Sequence, residues 1–126
     1  MTGTAIEPQL WVDHASEAVD FYAAAFGATT LHRVGEGEDI VVRLAVADAR
    51  FWVAPAGPGM GRFSPAALRG GTSRFLLVVD DPDTVHARAI AAGATDTAAV
   101  AEEHGWRVGR IVDPFGHEWE IGRPLS

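Results

Sequence analysis

The chain has 126 residues, 48% of them apolar and 21% charged, with a formal net charge of −7 and no cysteine. That length and balance fit a single globular domain, and the missing cysteines exclude disulfides, thiol chemistry and thiolate metal sites. Excess acid argues against a nucleic-acid partner, whose phosphates want clustered Lys and Arg. No stretch approaches a membrane span and no basic-then-apolar leader opens the sequence, so a cytoplasmic protein with no membrane partner is expected.

Residues 5–12 alternate: Ile6, Leu10 and Val12 fall on one face, Glu7, Gln9 and Trp11 on the other, which is a strand pattern. Pro8 marks an edge position or an irregular start. Asp13 stands where an N-cap belongs and predicts a helix to Phe26, with Ala18, Val19, Tyr22, Ala25 and Phe26 as its apolar stripe and Gly27 as its stop. Strands are expected over Thr29–Val34, Ile40–Val46 and Arg50–Ala54, joined by the turns GEGED and ADA. A Gly/Pro-rich stretch, about residues 56–72, has no periodicity and reads as a linker. Its Met60, Arg62 and Phe63 suit either a pocket cover or a plain connector.

The pattern then restarts. Residues 74–79 read as a strand, Asp80 or Asp81 followed by Pro82 opens a helix carrying Val85, Ala89 and Ile90, and Gly93 closes it. Strands follow near Thr97–Val100, Trp106–Val112 and Glu118–Gly122. The last is fed by the turn DPFG at 113–116, and strand alternation sends Glu120 to one face and Trp119 and Ile121 to the other. The FGA at 26–28 answers the AGA at 92–94 about half a chain later, the mark of a duplicated unit. The expected fold is therefore α+β: one domain over 1–126 made of tandem βαβββ modules, about 5–55 and 73–124. Each module is a curled mixed four-stranded sheet with one helix packed on it.

With VDHASEAVDFYAAAFGA at 12–28, VVDDPDTVHARAIAAGA at 78–94 and DPFGHEWEIG at 113–122, the chain resembles the vicinal oxygen chelate superfamily. That superfamily includes glyoxalase I, extradiol dioxygenases, and bleomycin and fosfomycin resistance proteins. Its metal-using members draw four ligands, usually His, Gln or Glu, from the first and last strands of the two modules. The resemblance places those positions on Glu7, Trp52, Arg74 and Glu120. Two carboxylates fit. The other two positions do not, because a guanidinium is never deprotonated, an indole offers only an N–H, and a unit cation about 4 Å from another already costs about 4 kcal/mol at an effective dielectric near 20. No tightly bound metal or other cofactor is expected, with Glu7 and Glu120 as the fallback ligands of a divalent ion. The five histidines, His14, His32, His86, His104 and His117, share no ligand spacing such as H-x-x-x-H, and surface or turn roles are expected for them.

Strand parity gathers Glu7, Gln9, Trp11, Trp52, Arg74 and Glu120 on the side away from the helices. Three readings stay open. Arg74 could bridge the carboxylates structurally while the indoles serve as core. The group could line a pocket for a small, planar organic molecule, stacked on indole and favoured as a cation by the net charge. The chain could instead be a metal-dependent lyase, isomerase or dioxygenase using Glu7 and Glu120, one of them as general base with Arg74 holding an oxyanion. The resemblance favours the second reading and implies a homodimer.

Overall fold

The computed structural model describes residues 3–126, and two open four-stranded sheets dominate it. Module one runs β1 (Gln9–Val12), α1 (Ala15–Phe26), β2 (Thr29–Glu36), β3 (Asp39–Val46) and β4 (Ala49–Pro55). Module two runs β5 (Arg74–Val78), α3 (Pro82–Ala91), β6 (Thr95–Glu103), β7 (Trp106–Val112) and β8 (Glu118–Pro124). The strand orders are β1-β4-β3-β2 and β5-β8-β7-β6. In each sheet the first and last strands of the module pair in parallel and every other pairing is antiparallel. A parallel pair cannot be closed by a tight turn, so a helix and a hairpin lie between its two strands. This is the tandem βαβββ arrangement, with a helix on one face of each sheet.

Local chemistry explains most element ends. Gly27 takes φ +70°, and the N–H of Ala28 reaches back to the carbonyl of Tyr22 at 3.1 Å, closing α1. Asp81 caps α3 by accepting from the N–H of Thr84 at 3.2 Å, with Pro82 in the first turn. Other ends depart from the sequence reading. Asp13 does not cap α1: the chain uses one more residue to leave β1, His14 takes the N-cap position, and no side chain caps it. Helix α3 ends at Ala91 with Ala92 as its C-cap, and Gly93 follows at φ +121°. Strands β6 and β8 run longer than the apolar pattern, because ladder hydrogen bonds continue past it.

Ile6 does not join Leu10 and Val12 in the core. It is 95% exposed, because the strand begins only at Gln9 and the chain before Pro8 has left the sheet. Pro8 still contributes its carbonyl, which accepts from the N–H of Trp52 at 2.8 Å. His86 is not a surface residue either. It is buried on α3, with Nε2 3.3 Å from the carbonyl of Arg110, over Gly109, where a Cβ would sit 2.9 Å from its ring.

The linker has more structure than its composition suggests. Gly57 and Arg62 form a bridge around a 3-10 turn at Pro58–Met60, and a short helix α2 (Pro65–Leu68) follows. Buried Ser64 caps α2 by accepting from the N–H of Ala67 at 3.1 Å. The helix presses on Gly116 so closely that a Cβ there would lie 2.9 Å from the amide nitrogen of Ala66.

The two modules share one apolar core. Trp119 on β8 sits among the aromatic rings of module one, with centroids 5.0 Å from Phe26, 5.5 Å from Phe51 and 5.7 Å from Tyr22. Arg88 on α3 donates to the carbonyl of Ala24 on α1 at 3.1 Å. Beneath this lies a buried carboxylate, Asp113, 3% exposed. It accepts from the amides of Phe115 (2.9 Å) and His117 (3.0 Å), from the Trp119 indole (2.9 Å), and from the hydroxyl of Tyr22. Among the described residues no helix is long and apolar enough to cross a membrane.

Replacing Tyr22 by Phe keeps the ring contacts and removes one of the donors to Asp113. Urea unfolding should show a loss of about 1.5–3 kcal/mol, the usual range for a hydrogen bond to a charged group. Burial first, and the Asp113 charge second, raise the Tyr22 pKa well above 10.0. The contribution should therefore be complete below pH 10.0 and fade as pH rises from there toward the folded-state value. An unchanged unfolding midpoint in the Tyr22→Phe protein would show that this bond carries no net stability.

Candidate functional site

Strand register fixes which residues share the helix-free face. Gln9 is level with Trp52 across β1 and β4, and Leu76 with Glu120 across β5 and β8. Glu7 and Arg74 therefore hold equivalent places just ahead of those pairs, as the duplicated pattern implied. Directly across the antiparallel ladder, Arg43 faces Trp52 and Arg110 faces Glu120. Neither arginine figured among the expected site residues, yet both organise the face.

In module one the Arg43 fork closes on Glu7, with Nε 2.9 Å from Oε1 and Nη2 2.5 Å from Oε2. The Trp52 indole donates to the same Oε1 at 3.0 Å, and the guanidinium lies 5.7 Å from the indole centroid. Both oxygens of Glu7 are thus committed. The Arg43 hydrogen bond outweighs the opposing effect of burial and holds the Glu7 carboxyl below its ordinary 4.5, while Glu7 in turn raises the Arg43 pKa.

In module two the order of charges changes. Arg110 donates through Nε to Glu120 Oε2 at 3.0 Å and through Nη2 to Glu103 at 2.6 Å. Arg74 approaches Glu120 Oε1 with Nε at 3.5 Å, an ion-pair distance. Glu120 is the more enclosed partner, its side chain 17% exposed against 47% for Arg74. The expected bridge from Arg74 therefore reaches Glu120, while Glu7 is claimed by Arg43.

The six expected residues do not line one common cavity. Glu7 and Arg74 share an opening of about 500 Å³ with Arg50, Phe51, Phe75 and Trp119 among its walls. Gln9 and Trp11 line another of about 440 Å³, under Phe63 and Leu68 of the linker. The Arg62 guanidinium lies 5.0 Å from the Trp11 ring, and Phe63 and Leu68 add linker side chains to the walls of this opening. Glu120 lines a third opening of about 290 Å³ with Glu103, Trp106 and Arg110. Trp52 serves mainly as the hydrogen-bond partner of Glu7. His117 bridges the modules, with Nε2 2.9 Å from the Trp11 carbonyl.

The donor set suits a divalent cation poorly. Among the described residues no three His, Asp or Glu side chains converge as ion ligands. The oxygens of Glu7 and Glu120 already face guanidinium or indole N–H groups, and an incoming cation would have to displace them against like charge.

A family model described as the glyoxalase-like domain matches residues 9–122. The chain belongs to that family. The earlier resemblance to the vicinal oxygen chelate superfamily thereby stands. An uncharacterized protein of Mycobacterium bovis is 36% identical to this glyoxalase-like chain over 127 residues, 96% of this chain and 84% of the relative. Among solved structures, a gene product of Arabidopsis thaliana aligns with TM-score 0.73 at 28% identity, over 97% of this chain and 100% of its own. An antibiotic-binding protein from a Streptomyces species aligns with TM-score 0.72 at 22% identity, over 98% of each chain. A fosfomycin resistance protein of Listeria monocytogenes, solved with Mn(II), aligns with TM-score 0.73 at 15% identity, over 100% of this chain and 92% of its own. At the two lower identities the likeness is one of fold.

Replacing Arg43 by Met should release the Glu7 carboxyl. A carboxyl-carbon NMR titration should place the native Glu7 pKa below 4.5 and return it toward 4.5 in the variant. The depressed folded value means that the pair stabilises the fold above the unfolded pKa and that this stabilisation disappears as pH falls through the folded one. Coincident Glu7 titrations in the two proteins would rule out the fork in solution.

Proposed function

We propose that this glyoxalase-like chain binds a small, planar organic molecule in a concave sheet pocket, without a tightly bound metal. One observation carries the reading: the two carboxylates at the family's ligand positions, Glu7 and Glu120, are both engaged by arginines. What remains is an apolar hollow with a few convergent polar groups, the usual build of a small-molecule site. The opening of about 500 Å³ has walls such as Phe51, Phe75, Leu77 and Trp119. Glu7 and Arg74 supply polar anchors there, and Trp52, Gln9, Trp11 and Glu120 extend the binding face beyond it. The antibiotic-binding activity of the Streptomyces protein, which shares the fold, supports a binder on this scaffold.

The proposed form is a cytoplasmic homodimer. Leu76 (45%) and Val78 (56%) stand exposed on β5, an edge strand whose apolar side chains a second copy would cover.

Native mass spectrometry together with metal analysis of the purified protein should find a dimer without a stoichiometric transition metal. Intrinsic tryptophan fluorescence should change saturably with planar aromatic compounds, and Trp52→Ala should weaken that response while leaving the melting temperature nearly unchanged. A transition metal at one per site, whose removal abolishes turnover of a carbon acid, would replace this reading with the metal-dependent lyase, isomerase or dioxygenase.

A further inference from the structure

We propose that the opening of about 500 Å³ between the modules takes an aromatic carboxylate, with the ligand's anion held by the guanidinium of Arg74. The inference rests on the small-molecule reading above and names the ligand's chemical class.

The walls are largely apolar, with Phe51, Phe75, Leu76 and Trp119 offering flat or aliphatic surface, and the charged groups among them are Glu7, Asp48, Arg50 and Arg74. Glu7 is already neutralised, both of its oxygens bonded to Arg43 and one also to Trp52. Arg74 is under-used. Its partner among the described residues is Glu120 at 3.5 Å through Nε, and that carboxylate has a closer bond to Arg110 at 3.0 Å. Among the described residues Glu120 is the one ion-pair partner of Arg74, and Arg50 has no ion pair. A guanidinium presents five donors in a planar fork that matches a carboxylate with two parallel bonds. Half of the Arg74 side chain is open to solvent, 47%, so the fork can turn to a ligand without leaving a buried charge behind. Among the remaining charged walls Arg50 and Asp48 offset each other, so the spare donors of Arg74, rather than any net local charge, are what favour an anion. The acidic sum of the chain counts little, because exposed acids farther away than about 8 Å are largely screened at physiological salt.

The test uses the full chain and three probes with one aromatic body: 2-naphthoate, 2-naphthylmethanol and 2-naphthylmethylammonium, titrated by calorimetry and tryptophan fluorescence. Naphthoate should bind at least about tenfold more tightly than the alcohol, a difference of about 1.4 kcal/mol, and the advantage should shrink with added salt. Arg74→Gln should erase that preference while leaving alcohol affinity unchanged, which also reports an intact pocket. Arg74→Lys, which keeps the charge and loses the fork, should retain part of it. If the ammonium probe binds as well as naphthoate, or the preference survives in Arg74→Gln, the anion site is overturned and the pocket reading stands. If the wild-type protein binds none of the three, both fall.

Discussion

The buried carboxylate of Asp113 is the constraint on which the arrangement of the two modules depends. It sits in the turn that launches β8, and two of its donors are backbone amides of that same turn, Phe115 and His117. The others are the indole of Trp119, within β8, and the phenol of Tyr22, from the helix of the opposite module. A carboxylate removed from water must be matched by donors or it is very costly. Here each donor fixes a different feature: the turn, the rotamer of the core indole, and the position of one module against the other. Burial keeps the Tyr22 phenol protonated, so it remains a donor through neutral pH. Once Trp119 is anchored, the alternation of β8 leaves Glu120 no choice of face.

On the opposite face the duplicated modules keep one element constant and exchange the rest. A third-strand arginine, Arg43 or Arg110, grips a carboxylate in both sheets. That carboxylate comes from the chain just ahead of β1 in module one, Glu7, and from the last strand in module two, Glu120. The place left over is filled by Trp52 in the first case and by Arg74 in the second. Each sheet therefore carries a charge cluster built on the same three positions with different side chains, and in module two Glu103 balances the second arginine. A face that does not hold the core can vary in this way without unfolding the protein, which is how one scaffold comes to host unrelated chemistry.

Much of this was legible in the sequence because it is local. The Asp81-Pro82 cap, the glycine that ends α1, and the alternation of Trp119, Glu120 and Ile121 each need only a few neighbouring residues. The repeat then gave the topology. What was missed depends on partners distant in sequence. Arg43 interrupts an otherwise apolar strand, Ile40–Val46, which was the available clue, but its role follows from facing Trp52 across a ladder. His86 looked like a surface residue because nothing near it in sequence announces that Gly109 makes room for its ring. Ile6 matched the strand period, yet the strand had not begun. Parity gathered six side chains into one group and could not tell that Gln9 and Trp11 line a different opening from Glu7 and Arg74.

The composition holds a last clue to how the charges are used. Every one of the ten basic side chains is arginine, and the chain has no lysine. A lysine on these strands would act as a mobile point charge, able to lose its proton when desolvated. A guanidinium stays charged, forks onto carboxylates and lies flat on indoles. All of those uses occur here: Arg43 grips Glu7 while lying near Trp52, Arg107 forks onto Asp83 at 2.7 and 2.6 Å, and Arg62 stacks over Trp11. Seventeen acids against ten arginines give the chain its negative sum, but the sum says little about a sheet face where Glu7, Glu103 and Glu120 are each bonded to an arginine. The side chains left with spare donors there, rather than the total charge, decide what the face can hold.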